Sequence, residues 1–354
     1  MKNLIKHFLG KINFFFKIQK IPDIYNNINI ETTSRCNLKC KFCAYDKRDL
    51  LTVPHNTMSQ NQFEDIVNQS IDLGYENIGL TPTTGDIFMD KDIINKLEYL
   101  EGKEKLKGYY LYTNFIPINF EKIEKILNLK KLTNFGISIY GNDLDTFINL
   151  SGGSVKSYEK LIQNLEFFKK KINETHPKFK IEISLRTITN FNIKNAKDKV
   201  SLIINDLLSK KLIQFSQNSE FNNWGGLIKN DHIKNLGIKL ISKKKRKIGS
   251  CSLIYSRLIV GASGKVNACA CRDANYTLAI GDLNEKKLKE IVNLKNNKYK
   301  DLILAQEQNN FPDVCESCDF YKSIYQNNDF IWSFRDKKIK NYNLKKVLEI
   351  LNNR

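Results

Sequence analysis

The stretch INIETTSRCNLKCKFC, residues 28–43, decides how the rest of the chain is read. Its first seven residues, 28–34, alternate apolar and polar side chains and predict a strand. Directly behind them stand Cys36, Cys40 and Cys43, spaced C-x₃-C-x₂-C within an eight-residue loop. Three thiolates in so short a loop suit three irons of a four-iron cubane, which leaves the fourth iron open to a small molecule. A zinc site usually takes four protein ligands, and this loop offers no fourth. On the residues alone, a zinc half-site stays as the alternative.

Strand and helix signals then alternate. A helix is expected at about 59–73, with Ser59 and Gln62 as a capping box and Phe63, Ile66 and Val67 at helical spacing. Further strands are read at 77–83, 108–114, 134–140, 180–188 and 212–218, with helices near 90–101, 119–128 and 154–169 and one carrying Val200, Ile203, Ile204 and Leu207. Six strand–helix units in series demand a parallel sheet with right-handed crossovers. The expected fold class is therefore α/β, a partial (β/α)6 TIM-like barrel with chemistry at the C-terminal strand ends. The chain divides into a basic N-terminal helix (1–27), the barrel (28–218), a connector (219–250), a small cysteine-bearing domain (251–320) and a helical tail (321–354).

Composition narrows the classes. The 354 residues, 41% of them hydrophobic, suffice for one large core or a large and a small one. No apolar run approaches the ~18 residues of a membrane span, and the lysine-interrupted N-terminus makes a poor signal peptide. A cytoplasmic protein with reduced thiols is expected, so the eight cysteines read as metal ligands sooner than disulfides. The formal charge of +19 is spread along the chain. It reads mainly as solvated lysine-rich surface, with a phosphorylated small molecule as the anionic partner it would suit. The run Lys243, Lys244, Lys245, Arg246, Lys247 lies in the connector, and no signature of sequence-specific nucleic-acid binding accompanies it. The first twenty residues offer an apolar face of Leu4, Ile5, Phe8, Leu9, Ile12, Phe15 and Phe16. That face reads as a helix docking on its own domain, with weak membrane-surface contact as the alternative.

The C-x₃-C-x₂-C loop after strand one of a β/α series, with aromatic Phe42 before its last cysteine, resembles the radical SAM superfamily. The resemblance implies that Cys36, Cys40 and Cys43 hold a [4Fe–4S] cluster whose open iron chelates S-adenosylmethionine, with a flavodoxin- or ferredoxin-type electron donor. Reductive cleavage would yield a 5′-deoxyadenosyl radical that takes a hydrogen atom from substrate. Phe42 matches the position facing adenine. Gly85 and Asp86, after the second strand, stand where the family has Gly-Gly-Glu to hold the methionine amino group. Ser138 and Arg186, on strands four and five, match positions contacting ribose or carboxylate. Asn114, ending strand three, faces the cofactor or caps the strand.

A second group stands further along: Cys251-x₁₂-Gly264-x₄-Cys269-x-Cys271, then Cys315-x₂-Cys318. It resembles the SPASM/Twitch auxiliary-cluster domains of the same superfamily. Five cysteines imply a single second [4Fe–4S] cluster on Cys251, Cys269, Cys315 and Cys318; a zinc site on those thiolates is the alternative. Cys271 is left over, as an ordinary thiol, an alternative ligand or a hydrogen-atom donor. On a strand it would face the side that Cys269 faces.

The resulting expectation is a radical SAM enzyme that oxidises or epimerises a sugar, cyclitol or nucleotide-sugar alcohol. A general base is sought among Glu31, Thr33, Tyr45, Tyr140 and Asn222. Peptide modification is the first alternative, with only 35 residues before Cys36 for a leader-binding domain. A non-enzymatic, metal-stabilised nucleic-acid module is the second.

Overall fold

The computed structural model describes residues 16–241, 247–326 and 340–354. Most of the expected N-terminal helix, with its membrane contact, and Lys243 to Arg246 of the basic run lie outside the described residues. Six strands form the parallel barrel wall: β1 (Ile28–Ile30), β2 (Asn77–Leu80), β3 (Gly108–Thr113), β4 (Leu132–Tyr140), β5 (Lys180–Arg186) and β6 (Gln214–Asn218). Helices α1 (Gln60–Asp72), α2 (Ile93–Glu101), α3 (Phe120–Leu127), α4 (Leu144–Ser151), α5 (Val155–Thr175) and α6 (Lys199–Ser209) connect them. This is the partial (β/α)6 barrel. Ile28, Ile30, Ile78, Leu80, Leu111, Ile137 and Ile183 are fully buried, as expected for strands covered on both faces.

Two departures from the expected elements shape the site. The first strand stops at Ile30 instead of Ser34, because residues 32–34 leave the sheet for the segment before α1. Met58 N donates to Thr32 O (2.8 Å), Ser34 N to Asn56 O (3.0 Å), and Thr33 bridges Thr57. Helix α4 lies outside the expected pattern, although its capping box is written in the sequence: Asp143 and Thr146 bond each other's backbone N–H. By contrast, Ser59 does cap α1, accepting from Gln62 N.

The cysteine-bearing segment continues the barrel sheet. Strand β7 (Ile259–Val260) pairs parallel with β1, Ile259 opposite Asn29 and Val260 opposite Ile30. Strands β8 (Lys265–Asn267) and β9 (Ala279–Asp282) are added antiparallel, giving one nine-stranded sheet in the order β9-β8-β7-β1-β2-β3-β4-β5-β6. In the tail, Asn341–Tyr342 pairs with Ile21–Pro22, and a helix at Leu344–Asn352 buries Val347 and Leu351. Among the described residues no helix is long and apolar enough to cross a membrane.

One interior ion pair anchors α2. Lys96 Nζ lies 2.5 Å from Asp90 Oδ2 and 2.6 Å from Met58 O, with both side chains essentially inaccessible. Removing one member of such a pair strands the other's charge, at about 3–5 kcal/mol. Lys96→Ala is therefore expected to lower the unfolding free energy by about that much in chemical denaturation. A loss below about 1 kcal/mol, the scale of a surface pair, would show that the pair does not hold α2 in place.

Candidate active site

The first thiol loop is clamped by the unexpected helix. Lys39 N donates to Ser151 O and Lys41 N to Leu150 O, both at 3.0 Å, so the last carbonyls of α4 hold the backbone around buried Cys40. Tyr45 fixes the other end: its hydroxyl accepts from Cys36 N (3.1 Å) and donates to Cys36 O (3.3 Å). Burial pushes all three thiols up. Cys36 reaches about 12, with the Asp86 carboxylate adding to burial. For Cys40 the neighbouring Cys43 and Cys36 add to it. The Arg186 guanidinium pulls Cys40 and Cys43 the other way. Left without a metal these thiols stay protonated; as thiolates they would repel one another, and bound iron would offset that charge.

The facing wall is built from strand ends. A Cβ on Gly85 would lie 2.7 Å from Thr33 O and 2.9 Å from Arg35 O, so only glycine lets this loop pass so close to the thiol loop. Asp86 is buried, and its carboxyl is raised to about 6 by that burial. Its oxygens accept from Phe88 N (3.0 Å), Thr113 Oγ1 (3.0 Å) and Asn114 N (2.6 Å). Asp86 thus ties the ends of β2 and β3 together. Asn114 Nδ2 reaches Asn37 Oδ1 at 2.8 Å, between Cys36 and the strand ends. Phe42 is buried, stacked on Phe221 with centroids 4.3 Å apart and tilted against Tyr140 at 5.3 Å. Arg186 lies 5.7 Å from the Tyr140 ring centre.

The second thiol group gathers from three separate segments around a small space lined by Cys251, Cys269, Cys315 and Cys318. Each of these four sulfurs accepts an N–H: Cys251 from Lys322 N (3.4 Å), Cys269 from Cys271 N (3.4 Å), Cys315 from Gln306 Nε2 (3.3 Å) and Cys318 from Phe320 N (3.3 Å). Such bonds stabilise thiolates and tune a bound cluster. Burial raises Cys251 to about 12 and Cys318 to about 11, with Cys269 adding to each. Among the described residues no three Cys, His, Asp or Glu side chains gather as a single metal ion requires. A cubane asks for something else, since each thiolate meets its own iron.

A cavity of about 430 Å³ opens beside the first thiol loop and reaches Cys271 and Arg272 next to the second group. Its lining includes Cys36, Cys40, Phe42, Cys43, Gly85, Asp86, Asn114, Ser138 and Arg186, so every residue expected at the cofactor faces one space. Tyr45, Tyr140 and Asn222 also line it. Glu31 and Thr33 do not: Glu31 is buried behind the wall, accepting from Thr83 N (3.1 Å) and Tyr276 OH (3.0 Å), and Thr33 is held by Thr57. Cys271 lines both this cavity and the second thiol space. It sits in a turn and not on a strand, with its thiol within hydrogen-bonding reach of Cys269. Sequence reasoning missed Arg257, Arg272, Trp224 and Phe320, which also line the cavity.

The profile of the radical SAM superfamily matches residues 30–204, and that of an iron-sulfur cluster-binding domain, SPASM, matches residues 251–319. The GTP 3′,8-cyclase of Aquifex aeolicus (strain VF5) is 22% identical over 303 residues, covering 78% of this chain and 91% of the relative. That of Peptoclostridium acidaminophilum is 23% identical over 256 residues, covering 70% and 74%. The fold is also that of BtrN in complex with AdoMet and 2-DOIA (TM-score 0.52, 14% identity, 90% of this chain and 98% of that one). It is likewise that of anSMEcpe with bound AdoMet (TM-score 0.51, 16% identity, 92% and 95%). With both cysteine groups inside the matched segments, the chain belongs to the radical SAM superfamily, as an enzyme carrying a SPASM-type auxiliary iron–sulfur cluster domain.

Proposed function

We propose that this enzyme takes a hydrogen atom from the carbinol carbon of a small anionic alcohol, a phosphorylated sugar, cyclitol or nucleotide sugar, and oxidises it to the ketone. One observation carries the reading: the cavity that the first thiol loop faces reaches Cys271 and Arg272 beside the second thiol group, and its charged lining besides cysteine and tyrosine is Arg186, Arg257 and Arg272 against Asp86, a positive excess that leaves Arg257 for a substrate anion once Arg186 meets the cofactor and Arg272 the second group. When bound, the first cluster would supply the electron that cleaves S-adenosylmethionine, and the second would accept the electron that the substrate gives up as its hydroxyl proton leaves to solvent.

The remaining work falls to the chain's own side chains. Cys36, Cys40 and Cys43 hold the first cluster; Cys251, Cys269, Cys315 and Cys318 hold the second. Phe42 packs against the adenine. Arg186 pairs with the cofactor carboxylate, and Ser138 bonds the ribose. Backbone oxygens beside Gly85 accept from the methionine ammonium, and Asp86 and Asn114 keep that loop and the β3 end in place. A flavodoxin- or ferredoxin-type donor and a cytoplasmic setting suit such chemistry. A second reading comes from the curated relatives: a guanine nucleotide, whose phosphates meet the same need for arginine.

Anaerobic reconstitution is expected to give about eight irons per chain, two four-iron clusters. Replacing Cys36, Cys40 and Cys43 with alanine should remove about half of that iron and all cleavage of S-adenosylmethionine. Replacing Cys315 and Cys318 should remove the other half and leave cleavage intact. Stoichiometric zinc in the second site would refute the assignment.

Arg186→Ala removes a charge-assisted hydrogen bond worth ~1.5–3 kcal/mol, so affinity for S-adenosylmethionine should fall roughly ten- to a hundredfold. Unchanged affinity would mean that the guanidinium serves something else.

The substrate reading is tested by 5′-deoxyadenosine release across sugar phosphates, nucleotide sugars, GTP, unphosphorylated sugars and peptides. Stimulation by phosphorylated alcohols is expected, and stimulation by peptides alone would overturn it. Cys271→Ala in deuterated water separates the two outcomes at carbon. Retained turnover without carbon-bound deuterium marks oxidation. Loss of turnover with an intact cluster, and deuterium in the wild-type product, marks epimerisation.

A further inference from the structure

The turn Asn222 to Gly226, in the connector, ties the two thiol loops together. Trp224 Nε1 donates to Phe42 O at 3.0 Å, one residue before Cys43. On the other side, Asn223 N donates to Asp319 Oδ2 and Asn223 Nδ2 to Ser317 O, both at 2.7 Å, flanking Cys318. Gly225, at φ 63°, passes so close that a Cβ would lie 2.5 Å from Val314 Cγ2 and 3.0 Å from Arg272 O.

This turn delivers the Trp224 ring to Arg272. The guanidinium carbon lies 5.2 Å from the Trp224 ring centre and 4.3 Å from that of Phe320. Nη1 donates to Cys271 O, while Nε is buried with no hydrogen-bond partner. Among the described residues no carboxylate is paired with Arg272. Its side chain lines both the large cavity and the space among the second thiols. Both flanking residues are tied to that space. Cys271 lies two residues from Cys269, and Phe320 N bonds Cys318 Sγ.

A half-buried cation without a carboxylate partner is costly unless another anion balances it. Four thiolates around an iron–sulfur core make a negatively charged group, and each added electron makes it more so. We infer that Arg272 is the counter-charge of the second cluster: clamped between Trp224 and Phe320, it stabilises the reduced state and so raises the reduction potential of the group held by Cys251, Cys269, Cys315 and Cys318. Aromatic faces suit the task, since they hold a guanidinium in place without neutralising it. The role belongs to Arg272 acting through the cluster, and it stands whatever the substrate proves to be.

The test needs no substrate. In the Cys36→Ala/Cys40→Ala/Cys43→Ala protein, which retains the second site alone, the reconstituted cluster is titrated anaerobically with dithionite and followed by electron paramagnetic resonance. Arg272→Gln should lower the midpoint potential, and Arg272→Lys, which keeps the charge, should recover part of the loss. An unchanged or raised midpoint in Arg272→Gln, with cluster content equal to the parent, would overturn the inference. Should Arg272→Gln fail to retain iron, Trp224→Ala decides, because it leaves the charge in place and removes its clamp. A lowered midpoint there supports the inference, and an unchanged one overturns it.

Discussion

The parallel pairing of Ile259 and Val260 with Asn29 and Ile30 is the contact on which the rest of the site depends. Asn29 N and Nδ2 both donate to Leu258 O at 3.0 Å, and Glu31 N donates to Val260 O at 2.8 Å. These bonds cover the β1 edge that an open six-stranded barrel would leave exposed. They also fix where the flanking residues lie. Arg257 comes just before β7, and Ala270 N bonds Arg257 O at 2.9 Å. Arg257, Ala270, Cys271 and Arg272 therefore all reach the cavity that the first thiol loop faces. The pairing thus brings Cys271 and Arg272, beside the second cysteine group, to the wall of the cavity that the first thiol loop faces.

The same pairing explains why the barrel interior is polar where a closed eight-stranded barrel would be filled with branched apolar side chains. Tyr110 OH bonds Asn29 Oδ1 at 2.9 Å and accepts from Arg257. Tyr112 OH reaches Glu182 at 3.3 Å and accepts from Asn134 at 3.4 Å. A buried cation inside the barrel needs such a network, because an unpaired polar group in a low-dielectric interior is expensive. Bonded in this way, Arg257 stands in the cavity wall with its orientation set by Tyr110.

How far the fold and site are legible in the sequence depends on the range of each interaction. Local signals read well: Ser59 as a cap, strands at alternating residues, helices at 3.6-residue spacing, and the C-x₃-C-x₂-C loop with Phe42. Strand ends read less well. Residues 32–34 keep the alternating pattern yet bond to residues 56–58, a choice made by the partner segment. Helix α4 is within reach, since Asp143 and Thr146 mark its start, but it lies so close behind β4 and ahead of α5 that the pattern reads as one helix. Long-range features leave little trace. A two-residue strand such as Ile259–Val260 has no periodicity to detect. Nor does any local pattern announce that Trp224 stacks on a residue 48 positions away. The one clue is Trp-Gly-Gly itself, a large ring before two glycines able to turn sharply, inside a segment that otherwise reads as linker.

Charge illustrates the limit of composition. A net +19 invites a search for an anionic partner on the surface, but charges there are screened within about 8–10 Å at physiological salt. Exposed pairs such as Lys107–Glu76 contribute little to what the protein recognises. Arg186, Arg257 and Arg272 line a cavity instead, where the effective dielectric is lower and each charge acts further and more strongly. They reach it from different elements: Arg186 from β5, Arg257 from before the hairpin, and Arg272 from the turn after β8. No segment of sequence contains a basic cluster that would have marked them. Chain topology concentrates positive potential at the C-terminal ends of the strands, and that is the potential an anionic substrate and two anionic clusters would meet.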